Sequence, residues 1–307
     1  MRHTIVMTGA TRGIGRVAAA RILTGSPGVH LVVLARDGAG AELARQLERH
    51  DRPVSSIDAD LLSMGSVRAA ADELAGRLDS GDLPPLRALV GNAGLQYTNN
   101  LTRSPDGLEA TFAINVLAHH VLIRRLQDHL HSPSRVVITV SDTHFGDLRH
   151  NLGMVPAPQW HSPDVLARTG AFANPGTVTA GRTAYSTSKL AAIHLIHEHA
   201  RRLPPGVDVI GYNPGLVPGT ALTRDAGALS RFAMRRVMPL LSLTPLATSP
   251  GTAGRRLADV VLGKIQAPTG GYVDRDRIAP SSMESYDPER ESELWDALER
   301  LNEHSDH

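Results

Sequence analysis

The chain has 307 residues, enough for one large or two small domains with a buried core. Its 32 basic and 31 acidic residues leave a net charge of +1, so no broad cationic field argues for nucleic acid or a membrane surface, and a small-molecule partner is expected. The absence of cysteine excludes disulfides, thiolate catalysis and the usual structural zinc sites.

From Met1 the sequence runs through a short β-branched strand, Thr4 to Thr8, straight into a glycine-rich turn. No leader is expected, and with no apolar run long enough for a bilayer the expected location is the cytoplasm. The turn reads Thr8-Gly9-Ala10-Thr11-Arg12-Gly13-Ile14-Gly15 and opens a helix, Gly13 to Leu23. Glycines at 9, 13 and 15 permit a tight turn and close backbone approach, so helix-terminal N–H groups can face a pyrophosphate. A second strand, His30 to Ala35, ends at Arg36. A carboxylate near this strand end would suit the ribose hydroxyls of NAD. Here Ala35 stands in its place, and the guanidiniums of Arg36 and Arg12 suit a 2′-phosphate, which points to NADPH.

Further strands are expected at Val54 to Ala59, Leu86 to Gly91, Arg135 to Ser141, Val207 to Tyr212 and Gly271 to Asp274. Apolar residues at helical spacing mark helices over Ala39 to Arg49, Ser66 to Leu78, Leu108 to Leu130, Arg182 to Leu203 and Ser249 to Leu262. Strict alternation of strand and helix implies an α/β fold, a doubly wound parallel sheet of about seven strands with helices on both faces. Ligands of such sheets lie in the crevice at the strands' carboxyl ends. No repeat or composition break divides the chain, so residues 1–307 are read as a single domain.

Two segments break the rhythm, 142–181 and 218–248, and both are expected to cover that crevice. The first carries Met154, Val155, Pro156, Pro158, Trp160 and Phe172, the second Leu222, Phe232, Met234 and Met238. Together these suit a bulky, mostly apolar ligand. The tail from Pro288 to Asn302 reads as an amphipathic helix. The histidines are dispersed, and His194 and His197 lack a metal-site context, so packed or solvated side chains and no metal are expected.

Tyr185 and Lys189 stand four residues apart in a predicted helix, and Lys189 is one of only two lysines. That spacing projects both from one helix face. A fixed ammonium beside a phenol is expected to lower its pKa and let it exchange a proton with a reacting oxygen.

In the glycine turn, the Tyr–Lys pair and their order along strand ends, residues Thr8 to about Asp274 resemble the short-chain dehydrogenase/reductase superfamily, in its TGxxxGxG branch. The resemblance implies a Rossmann-type fold and NADP-dependent hydride transfer to a carbonyl. It implies that Asp60-Leu61 contacts adenine and that Asn92-Ala93-Gly94 steadies the cofactor pocket. Asn115 is similar to the family's catalytic asparagine, which anchors a water relay, and Tyr185 and Lys189 to its proton donor and ribose-binding lysine. Pro214-Gly215 resembles the turn beside the nicotinamide, with Thr220 at its carboxamide. One position departs from the pattern. Two serines usually close the fifth strand, whereas here the chain reads Val140-Ser141-Asp142-Thr143. A strict overlay puts Asp142 in the carbonyl-binding slot. Ser141 is preferred, because a carboxylate opposes charge developing on a carbonyl oxygen, and Thr143 is a substitute hydroxyl.

The function expected is that of an NADPH-dependent ketoreductase acting on a bulky, mostly apolar ketone or aldehyde, as in secondary metabolism. Resemblance to retinol-dehydrogenase-like and bacterial ketoreductase-like members points the same way. Two alternatives stay open, an ene-reductase of the protochlorophyllide type and a non-catalytic NADP-binding regulator. The insertion before Tyr185 favours a monomer or homodimer.

Overall fold

The computed structural model describes residues 2–47, 52–151, 153–217 and 247–304. One sheet runs through it, formed by β1 (His3–Thr8), β2 (Val29–Ala35), β3 (Val54–Asp58), β4 (Leu86–Gly91), β5 (Ser134–Thr139), β6 (Val207–Asn213), β7 (Tyr272–Asp274) and β8 (Arg277–Ala279). The spatial order is β3-β2-β1-β4-β5-β6-β7-β8. Every pairing is parallel except the last, β7 with β8. The chain winds outward from β1 to β3 and then restarts on the other side at β4. A crevice therefore opens between the carboxyl ends of β1 and β4, where the winding reverses.

The eighth strand exceeds the seven read from periodicity. It is a three-residue antiparallel hairpin arm in which Ile278 faces Val273, too short to carry an alternating pattern.

The strands are buried on both faces, so they read as continuous apolar runs. Val6, Val32, Leu34, Leu89 and Val136 pack with α3 (Met64–Asp79), α5 (Ala118–Leu126) and α8 (Val178–Arg202). Their neighbours Ile5, Met7, Leu31, Val33, Ala88 and Val90 pack with α1 (Gly13–Gly25), α2 (Ala39–Leu47) and α9 (Pro250–Val261). Side chains on α3, α8 and α9 are led in by hydroxyl caps, Ser63, Thr177 and Ser249, each accepting from a backbone N–H of the first turn. The Thr177 cap is why α8 begins four residues before the apolar periodicity does.

The long helix expected over Leu108 to Leu130 is instead interrupted. It starts at α4 (Ala110–Phe112), passes through a π-helical turn, Ala113–Leu117, and continues as α5 before a 3-10 turn at Gln127–His129. Such π turns widen a helix locally and commonly stand at functional positions.

Within 142–181 the chain forms a 3-10 turn, Asp142–Phe145, then α6 (Leu148–Asn151) and α7 (Pro163–Leu166). Its apolar residues divide. Met154 and Val155 line the crevice, whereas Phe172 is buried in the core and Trp160 packs on that core with its ring edge-on to His194 at 4.9 Å. Of the second segment, residues 218–246 lie outside the described residues, with Leu222, Phe232, Met234 and Met238 among them. The tail forms α10 (Pro288–His304), which lays Leu294, Trp295 and Leu298 against the core beside α8. Among the described residues no helix is long and apolar enough to cross a membrane.

Candidate active site

At the head of the crevice the glycine turn is held by backbone contact. Gly9 and Gly13 have φ of 64° and 55°, in the region that favours glycine. A Cβ on Gly15 would stand 2.0 Å from the Gly9 carbonyl oxygen. The turn is braced from β4, where Asn92 Nδ2 donates to Gly9 O (3.1 Å) and Ala93 N to Thr8 Oγ1 (3.0 Å). Thr139 Oγ1 in turn donates to Asn92 Oδ1 at 3.1 Å, tying β5 into the same brace. The first turn of α1 carries no acidic residue, so its positive end stays available to an anion.

At the far end of the turn, Arg36 lies 3.4 Å from Asp37 and 3.7 Å from Asp60, across the carboxyl ends of β2 and β3. Asp60 Oδ1 also accepts from Leu62 N at 3.1 Å, which fixes the loop after β3.

The opposite wall is built by side chains on β5, the π turn and α8. Asn115 is fully buried. Its amide donates to Leu95 O (3.0 Å) and Ser188 Oγ (2.9 Å) and accepts from Leu95 N (2.9 Å). Ser188 donates to Tyr185 O at 2.7 Å, so Asn115 is linked through it to the helix turn that carries the tyrosine. Lys189 Nζ donates to Thr139 O at 2.9 Å and stands 5.7 Å from the centre of the Tyr185 ring. Gly94 leaves room at this junction, since a Cβ there would meet Asn115 Oδ1 and Lys189 Nζ, both at 3.3 Å.

Burial governs the electrostatics of this wall. It pushes Lys189 down to about 8 and pushes the Tyr185 phenol above its ordinary value. A hydrogen bond with Ser141 opposes the second shift and the nearby Asp142 carboxylate adds to it. The expectation that the ammonium lowers the phenol is therefore not met in this structure. Spacing puts the two groups on one helix face, but it does not reveal that both are desolvated. Asp142 is raised by burial to about 6, with Arg275 and His150 opposing that rise and Asp274 adding to it.

These walls enclose a cavity of about 550 Å³. Gly9, Thr11, Arg12, Gly13, Ile14, Gly15, Arg36, Asp60, Leu61, Asn92, Ala93 and Gly94 line it with Ser141, Tyr185, Lys189, Pro214 and Gly215. Asn115 lies behind the wall, and Thr220 lies outside the described residues. Several cavity groups carry no sequence signal of their own. Arg182 lies one helical turn before Tyr185, and His150 and Asn151 come from the short α6. The Pro214-Gly215 turn depends on β7, because Asn213 Oδ1 accepts from Gly215 N (3.0 Å) while Asn213 Nδ2 donates to Asp274 (2.9 Å).

The sequence model of the short chain dehydrogenase family matches residues 3–149. DnrU of Streptomyces sp. (strain C5), named for daunorubicin C-13 ketoreduction, is 30% identical over 302 residues, which span 96% of this chain and 91% of that protein. Protochlorophyllide reductase A of Arabidopsis thaliana is 28% identical over 98% of this chain and 76% of its own. Among solved structures, the angucycline C-6 ketoreductase LanV with bound NADP superposes with a TM-score of 0.61 over 89% of this chain and 93% of its own, at 23% identity. The residues present fit a nicotinamide dinucleotide, with an anion-ready helix terminus in the middle, a charged rim at one end and a buried Tyr–Lys pair at the other.

Proposed function

The chain belongs to the short-chain dehydrogenase family, and from that premise we propose that it is an NADPH-dependent carbonyl reductase acting on a bulky, mostly apolar ketone or aldehyde. The observation that carries this reading is the convergence of Ser141, Tyr185 and Lys189 on one cavity with the glycine turn. NADPH, when bound, would supply the hydride. The protein's own residues would do the rest.

Tyr185 holds a proton at its phenol oxygen, and burial keeps it there across the physiological range. Ser141, which lines the cavity with that phenol, orients a carbonyl oxygen toward it. Lys189, fixed by its bond to Thr139 O and lining the cavity beside the tyrosine, would hold the ribose of the cofactor. Asn115 fixes the Leu95 backbone and the Ser188 turn, and so the position of Tyr185. Arg36, already drawn to the β2–β3 rim by Asp37 and Asp60, suits a 2′-phosphate and underlies the preference for NADPH. Met154, Val155 and Val217 give the substrate end an apolar wall. The protein acts in the cytoplasm as a monomer or homodimer.

Loss of NADPH absorbance over a panel of aromatic and polycyclic ketones tests the reading. Tyr185→Phe is expected to cut turnover by about 10²- to 10⁴-fold while NADPH still binds. Equal turnover in the variant overturns the assignment of the proton. The similarity to protochlorophyllide reductase supports a second reading, reduction of a conjugated double bond, and product analysis separates a saturated ketone from an alcohol.

A further inference from the structure

Asp142 is the carboxylate in the substrate end of the cavity wall, and carbonyl reduction leaves it unused. It opens the 3-10 turn after β5, is 8% exposed, and lines the cavity next to Ser141. Its carboxylate has a single side-chain donor among the described residues, Ser141 Oγ at 3.5 Å. The charges that face it are directed elsewhere. Arg275 donates to Asp274 at 2.8 and 3.0 Å, and His150 is paired with Asp147 at 2.8 Å. A carboxylate offers about four lone-pair positions, and a desolvated one is costly while they stay open. Here the open side is the cavity.

The spacing sets the chemistry of a donor that could fill it. A carbonyl oxygen held by Ser141 and Tyr185 sits about 2.7–2.8 Å from each hydroxyl oxygen. Asp142 Oδ1 lies 3.5 Å from Ser141 Oγ, so a donor on the carbon adjacent to the carbonyl reaches it without moving the carbonyl. Ser141 has one hydroxyl proton, and carboxylate and carbonyl compete for it. A ligand that donates to Asp142 releases that proton to the carbonyl. It also offsets the negative charge that otherwise opposes a forming alkoxide.

We propose that Asp142 determines the specificity of the cavity by accepting a hydrogen bond from a hydroxyl or ammonium group on the carbon next to the reducible carbonyl. The preferred substrates are α-hydroxy or α-amino ketones with an apolar body. This inference rests on the carbonyl-reductase reading, and its test separates the two.

The probes are 2-hydroxyacetophenone and acetophenone, reduced at saturating NADPH. Wild type favours the hydroxyketone in kcat/KM, and Asp142→Ala lowers that preference by about tenfold to a hundredfold, the range for a hydrogen bond to a charged group. Asp142→Asn keeps an acceptor oxygen and retains part of the preference. The wild-type preference fades as pH falls through about 6, where Asp142 takes up a proton, while that of Asp142→Asn does not move. The wild-type half of this pH arm needs no variant that might misfold. Calorimetry of 1-phenylethane-1,2-diol and 1-phenylethanol binding to the enzyme with NADPH, a pairing in which no hydride can be transferred, asks the same question without turnover. Equal binding of the two alcohols, or an unchanged preference in Asp142→Ala, overturns the inference. Preferred diol binding with neither ketone reduced leaves Asp142 as the recognition group and overturns the reductase reading instead.

Discussion

Both faces of the sheet bury an apolar cluster, but the helix seams outside them are held by different chemistry. On one, α9 packs on α1 so closely that a Cβ on Gly254 would stand 2.5 Å from Val17 Cβ and 2.7 Å from Ile14 O, and the cluster around it is apolar. On the other, α10 meets α8 and α5 through carboxylates. Glu291 accepts from His197 Nδ1 (2.6 Å) and Arg201 (2.5 Å), and Glu299 from His120 Nε2 (2.7 Å) and Arg124 (2.8 Å). The first face carries the glycine turn on α1, the second the Tyr185–Lys189 pair on α8. Shape positions one half of the site, and side-chain pairing supports the helix that positions the other.

The sharpest way to break this contrast is at Gly15. A methyl group there meets the Gly9 carbonyl, which is backbone and cannot rotate away. Gly15→Ala is expected to weaken NADPH binding at least about 100-fold, roughly 3 kcal/mol. Measured by fluorescence titration, a change below about threefold would mean that the turn is not rigid and that shape does not set this half.

The same contrast explains what was legible in the sequence. The glycine turn was readable because close approach and positive φ leave few residues to choose from, and its position between strand and helix gave it context. Tyr185 and Lys189 were readable because helix spacing fixes which side chains share a face. The choice between Ser141, Asp142 and Thr143 was not settled by sequence, since the three are consecutive, Ser141 capping the 3-10 turn that the other two begin, and all three line the cavity. The phenol's upward shift was missed because it depends on burial by distant elements. The α8–α10 seam was invisible for a similar reason. Histidines that look scattered along the chain find carboxylates 94 and 179 residues away.

Arg36 stands on the first half but acts through charge, so it tests how far shape alone carries cofactor binding. Its guanidinium is about one-third exposed and already faces two carboxylates. Arg36→Ala is expected to raise the apparent KM for NADPH by about tenfold, the loss of roughly 1.4 kcal/mol, and to leave NADH use level or improved. Steady-state kinetics with both cofactors decides it, because equal losses would place Arg36 in the support of the rim and not at a phosphate.

The smallest effect expected concerns the seam itself, and acid is the means of separating it from the apolar face. Burial raises Glu291, but hydrogen bonds from His197 and Arg201, with His194 close by at 3.9 Å, outweigh it and hold the carboxyl down at about 2, against an ordinary 4.5. The folded chain thus takes up this proton less readily than the unfolded one. The contribution of the seam is whole above pH 4.5 and is lost as pH falls toward 2. Glu299, held down at about 2 by His120 and Arg124 against burial, has the same sign. Both tryptophans report on this region and not on the α1–α9 packing, Trp295 through ring contacts with His120 and His199 at 5.0 Å, Trp160 through His194. Between pH 5 and 3, Tm followed by tryptophan fluorescence is expected to fall by about 2–4 °C more in wild type than in Glu291→Gln, which has no carboxylate to protonate. Parallel curves for the two proteins would mean that Glu291 does not secure α10, leaving Leu294, Trp295 and Leu298 with the Glu299 pairs to hold it, and the contrast between the two seams would narrow accordingly.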